Sequence, residues 1–156
     1  MTVRRALIAL AAAALPAGAA AQAAAACTVL AQMPPARLSG EWTARFWTEG
    51  GSPERARDSG VLQLERHPEY GGSVRGELLR GSGGQMRRSM VSGDVTDGEF
   101  HFDESDDGIA MSAVWSGVAE DCGGRVTISG TRRPTTGPEA PDPVLNFRLE
   151  RTPGWR

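Results

Sequence analysis

Along most of the chain, apolar and polar residues alternate at every second position, and clusters of Gly, Pro, Asp and Ser interrupt the alternation. A period of two belongs to a strand with one buried face. Beyond the Ala-rich N-terminal segment, no stretch carries the i, i+3, i+4, i+7 stripe of an amphipathic helix. The stretch LSGEWTARFW places Leu38, Trp42, Ala44 and Phe46 on one face and Glu41, Thr43 and Arg45 on the other. GVLQLERH offers Leu62 and Leu64, SVRGELLR offers Val74, Gly76 and Leu78, and the next strand closes on Val91, Gly93 and Val95. Thr96-Asp97-Gly98 contains the Asp-Gly dipeptide of a tight type I′ hairpin, after which Phe100 and Phe102 begin a fifth strand. GIAMSAVWSG aligns Ile109, Met111, Ala113 and Trp115. The last two strands align Val126, Ile128 and Gly130, then Leu145, Phe147 and Leu149, which makes eight.

The pattern predicts an all-β domain, read as a single antiparallel, eight-stranded up-and-down β-barrel, with a two-sheet β-sandwich as the alternative. Short consecutive connections suit a meander, and closure removes exposed strand edges. An apolar-x-Gly pattern recurs in Leu38-Ser39-Gly40, Val74-Arg75-Gly76, Val91-Ser92-Gly93, Trp115-Ser116-Gly117 and Ile128-Ser129-Gly130. Residues i and i+2 share a face, so each glycine lies on the core side, where it permits a sharp bend or close backbone approach. The stretches TEGGSPERARDSG, HPEYGG, GSGGQ and RPTTGPEAPDP read as loops at the barrel ends.

The N-terminal segment changes the picture of where the protein works. Arg4 and Arg5 precede an apolar run from Ala6 to Leu15 and then small residues offering A-x-A sites, the layout of a cleaved export signal. The expected domain plan is a signal peptide over 1–21 (alternative end at 26), an N-terminal segment over 22–37 tethered by Cys27, the barrel over 38–151 and a tail over 152–156. The apolar run falls short of the roughly 20 residues of a spanning helix, so no transmembrane segment is expected. Cys27 follows Ala24-Ala25-Ala26, but the Leu that lipoboxes carry three residues before the cysteine is missing. The protein is therefore read as periplasmic or secreted rather than lipid-anchored. In such a compartment Cys27 and Cys122, the two cysteines of the chain, are expected to pair. Every basic residue other than the two histidines is Arg, and removing Arg4 and Arg5 leaves 15 against 19 acids. The resulting charge near −4 argues against nucleic acid as a partner.

At the first strand, Ser39-Gly40-Glu41-Trp42 resembles the G-x-W signature that opens the calycins, the superfamily of lipocalins, fatty-acid-binding proteins and avidins. The resemblance implies a small barrel with a possible cavity. It also implies a basic residue of the last strand packed over the Trp, for which Arg148 and Arg151 are the candidates. No ligand is carried over with it.

The acidic run Asp103-Glu104-Ser105-Asp106-Asp107-Gly108 tests for calcium. Counted from Asp103, an EF-hand loop would need its bidentate Glu at Val114, and no helices flank it, so the run is read as a turn. His67 and His101 form no metal-ligating set, and nucleophile-elbow and phosphate-loop motifs are missing. No cofactor, metal site or catalytic residue is assigned. The remaining handles are aromatic and basic. Trp42, Phe102, Met111, Trp115 and Arg132 are candidate contacts for a ligand in the barrel or its mouth, and Trp47 and Arg133 are candidate contacts for a protein partner. The function expected is non-catalytic binding of a small, partly apolar ligand. The alternative is an envelope protein-interaction or inhibitor module with a filled barrel and functional loops.

Overall fold

A computed structural model describes residues 26–56, 58–82, 84–135 and 143–152. The chain forms β1 (Thr28–Val29), a one-turn helix α1 (Pro35–Leu38), β2 (Gly40–Trp47), β3 (Asp58–Arg66), β4 (Val74–Ser82), β5 (Gln85–Thr96), β6 (Glu99–Ser105), β7 (Ala113–Cys122), β8 (Arg125–Pro134) and β9 (Leu145–Arg151). Each of β2 to β9 pairs antiparallel with its neighbours in sequence, and β9 pairs back onto β2 from Trp42↔Arg151 to Trp47↔Asn146. The result is the closed eight-stranded meander expected from the sequence, plus the extra strand β1, which the alternation did not announce. Among the described residues, no helix is long and apolar enough to cross a membrane. The expected signal segment and almost all of the 152–156 tail lie outside the described residues.

Closure depends on curvature, and the inward glycines supply it. Gly117 and Gly130 lie directly opposite each other on β7 and β8. A Cβ on Gly130 would fall 2.0 Å from the Ser116 carbonyl oxygen, and one on Gly117 would fall 2.3 Å from that of Ser129. Two backbones this close can coil past each other only without side chains. At the turn between β5 and β6, Asp97 and Gly98 adopt φ of 53° and 85°, the pair of positive values a type I′ turn requires.

The interior is filled. Trp42, Trp115, Phe46, Phe100, Phe102 and Phe147 are fully buried together with Leu62, Leu78, Ile128 and Leu149. Phe100 and Phe102 stack at 4.4 Å, Phe46 meets Trp115 edge-on at 5.4 Å, and Trp115 lies 4.9 Å from Phe147. Each such ring contributes about 1.5–3 kcal/mol by burial, with a further increment from edge and offset contacts.

The end of the barrel where β2 begins is closed by the N-terminal segment. Cys27 is bonded to Cys122. β1 pairs with β7 at Glu120 and Asp121, and Leu30 and Met33 donate backbone bonds to Ala119 and Val95. Met33 and Leu38 then enter the core. Leu38, expected at the start of a strand, sits instead in α1, because Pro34 and Pro35 favour a helical turn there. Its carbonyl accepts from Trp42 Nε1 at 2.7 Å. Over the Trp42 ring lies Arg151, with Cζ 4.5 Å from the centroid, while its Nη1 donates to the Ser39 carbonyl at 2.9 Å. Of the two candidate arginines it is Arg151 that stacks. Burial, and then the Arg37 charge, lower its pKa.

Candidate functional site

Alternation continues past the apolar residues at the other end of the barrel and turns charged groups inward. Glu104 follows Phe100 and Phe102 on β6, Arg132 follows Ile128 and Gly130 on β8, and Arg80 follows Gly76 and Leu78 on β4. All three are buried. Glu104 Oε2 accepts from Arg132 Nε and from Trp115 Nε1, both at 2.7 Å, and Oε1 accepts from Arg132 Nη2 at 3.0 Å. Arg80 Nε lies 3.6 Å from Asp58 Oδ2, and its guanidinium stands 5.5 Å from the Phe46 centroid. The hydroxyl of buried Ser89 donates to Asp106 at 2.7 Å. The mouth is thus a layer of paired charges on an aromatic floor.

This placement decides where the expected ligand contacts lie. Phe102 and Trp115 are core residues packed against other rings, Trp42 is a core residue covered by Arg151, and Arg132 is bonded to Glu104. Met111 is a correction. The alternation aligns it with Ile109, Ala113 and Trp115 on one strand face, but β7 begins at Ala113, and Ile109 and Met111 are exposed in the loop before it. Asp107 is the cause: its Oδ1 accepts from the backbone N–H of Ile109 and of Ala110, both at 2.8 Å, and from the Ser105 hydroxyl at 3.1 Å. With Gly108 at φ 75°, these bonds hold a compact loop in place of two further strand residues. The acidic run therefore divides into roles. Asp103 faces outward, Glu104 inward, Asp106 bonds over the rim and Asp107 caps the loop. Trp47 is half-buried under the turn after β2, where a Cβ on Gly51 would lie 3.1 Å from the indole ring. Arg133 is exposed on β8, and the loop that follows it falls largely outside the described residues.

The 106–112 loop creates a groove on the outer wall. Its volume is about 360 Å³, and it is lined by His67, Arg75, Met90, Asp103, Ile109 and Met111. The apolar part consists of flexible thioethers and one protruding side chain: Ile109 is 92% exposed, Met90 56% and Met111 47%. The polar flanks are ordered. Arg75 pairs with Glu65 at 2.9 Å, Asp103 lies 3.7 Å from His101 Nε2, and His67 Nδ1 accepts from the N–H of Glu69 and Tyr70. Val61 and Leu79, opposite each other on β3 and β4, and Met86 on β5 are also exposed, with the Arg88–Glu77 ion pair between them and Met90. Lone exposed apolar residues are ordinary, whereas a contiguous set marks a contact surface.

His67 and His101 stand on different elements, and among the described residues no group of three or more His, Cys, Asp or Glu could hold a metal ion. Glu104, Arg80 and Met90 were not singled out from the sequence, although the period that places Phe102, Leu78 and Gly130 inward, carried one step further, puts Glu104, Arg80 and Arg132 inside. No signal in the sequence links Met90 to Ile109, because the loop that joins them is shaped by Asp107. No protein-family model matches this chain, and no curated protein matches it.

Proposed function

We propose that the protein is a non-catalytic interaction module of the cell envelope that recognises a protein partner with the outer wall of β3 to β6 and the 106–112 loop. The observation that carries the reading is the contrast between the two sides of the wall. Inside, rings and ion pairs occupy the barrel. Outside, Met90, Ile109 and Met111 line an open groove. Arg75 and His67 on one flank and Asp103 on the other suit an extended segment that inserts one apolar side chain and presents charges of both signs. Methionine-lined surfaces adapt to such segments because the thioether chain repacks readily. The Cys27–Cys122 bond and the N-terminal sequence support an exported protein, and the Arg151–Trp42 contact supports a calycin-type barrel with its interior filled.

A second reading is favoured by the groove volume, about 360 Å³, which is in the size range of small-molecule sites. Native mass spectrometry of the protein isolated from its own periplasm separates the two. The expected result is a protein complex that Ile109→Asp abolishes while the barrel stays folded. A stoichiometric small molecule in place of a protein would overturn the proposal.

A further inference from the structure

Four methionines lie among the described residues, and three of them share one wall. Met86 and Met90 point outward from β5, Met111 lines the groove with Met90 from the 106–112 loop, and the three exposures are 68%, 56% and 47%. Met33 is in the core at 2%. Two of the exposed sulfurs are seated on glycines. A Cβ on Gly108 would lie 3.0 Å from Met90 Sδ, and one on Gly81 only 2.4 Å from Met86 Sδ. Each thioether therefore lies against bare backbone on one side and faces solvent on the other. At Met90 the backbone concerned belongs to the loop that forms the groove.

From this seating we infer that the groove is a modification site for two-electron oxidants of the peroxide class, with Met90 as the residue that couples oxidation to the loop. The sulfur lone pair attacks the terminal oxygen of the peroxide, the O–O bond breaks and an S–O bond forms. The sulfur is oxidised by two electrons, and hydrogen peroxide is reduced to water. Exposed thioethers undergo this step without assistance, and sulfoxide reductases reverse it. The product is a polar group with an added oxygen where a flexible apolar one stood. At Met90 it loosens the packing of Gly108, and at Met111 it makes the floor of the groove polar. Under the functional reading above, on which this consequence rests, oxidation releases an apolar partner.

The test uses the full chain with its disulfide intact and hydrogen peroxide as the oxidant. Peptide mass spectrometry should find oxygen on Met86, Met90 and Met111 on the order of tenfold sooner than on Met33. Amide exchange of Ile109, Ala110 and Ser112, whose N–H groups bond to Asp107 and Glu104, should then quicken about tenfold. Met90→Leu, which keeps an apolar side chain without sulfur, should hold these rates unchanged after peroxide. Equal oxidation of Met33 would overturn the inference. So would an unmoved loop with Met90 fully converted, or a loop that loosens as much in Met90→Leu. None of these readouts needs a partner, so failure of Ile109→Asp to disrupt the complex would count against the docking reading alone.

Discussion

The buried group that carries the largest expected effect is Glu104. Its carboxylate takes three hydrogen bonds, two from Arg132 and one from the Trp115 indole, and the side chains of the ion pair are 2% and 3% exposed. Glu104→Ala removes all three acceptor contacts and takes from the Arg132 guanidinium the carboxylate bonded to it. Breaking a buried pair by removing one partner costs about 3–5 kcal/mol. Glu104→Gln keeps an acceptor for one donor but loses the charge, and should fall lower, at about 1.5–3 kcal/mol, the range of hydrogen bonds to charged groups. Replacing both partners, as Glu104→Leu with Arg132→Met, should recover only part of the loss: apolar residues of similar volume often substitute for a buried pair without penalty, but the Trp115 Nε1–H loses its Glu104 acceptor. Urea unfolding followed by tryptophan fluorescence measures all three. With a slope of about 1–3 kcal/mol per molar, the Ala variant should shift the midpoint by a molar unit or more. A cost below about 1 kcal/mol for Glu104→Ala would refute the assignment of Arg132 to structure and return it to the candidate ligand contacts.

Other predictions follow from the wall, the loop and the tether. Replacing Cys27 and Cys122 by Ser opens a link spanning 95 residues and should cost up to about 4.7 kcal/mol in thermal or denaturant unfolding; unchanged stability would mean that the N-terminal segment holds without it. Gly130→Ala drives a Cβ into the Ser116 carbonyl and should cost about 1–3 kcal/mol or more. Gly71→Ala, with nothing within 4 Å, should be neutral or mildly stabilising in the same assay. The bonds from the Ile109 and Ala110 N–H groups, then the Ser105 hydroxyl, hold the Asp107 carboxyl below its ordinary value of 3.8. Since the folded pKa is the lower one, loop order is fully present above pH 3.8 and is lost as pH falls through the depressed value. A carbon-detected titration placing the Asp107 midpoint at or above 3.8 would contradict the capping geometry.

Much of the barrel was legible because period two is a strong signal wherever one face is dry. Trp42, Leu62, Leu78, Val91, Phe102, Trp115, Ile128 and Phe147 all lie inward as the alternation requires. Asp97-Gly98 marked its hairpin, and the two cysteines found each other. The failures have local causes. Extending the β7 alternation backward through Met111 and Ile109 ignored the N–H groups of Ile109 and Ala110, which donate to the Asp107 carboxylate, so that β7 begins only at Ala113. Leu38 kept its burial but changed element, since consecutive prolines favour a turn of helix. β1 is two residues long and exists by pairing with β7 beyond the reach of β6, a non-local event. Glu104 was hidden by its company, one inward carboxylate within a run of outward and loop acids. The groove was invisible for a different reason: it joins β5 to a loop after β6, and neither contributes a motif.

Along β5 the division of labour between successive residues opens a practical route. Ser89 and Val91 serve the inside, while Arg88, Met90 and Ser92 project away from it. The alternate set can be randomised, together with Val61, Leu79 and Ile109, as a combinatorial library in which nearly every member keeps the same interior. New affinities could be selected on this scaffold without re-solving its folding problem each time.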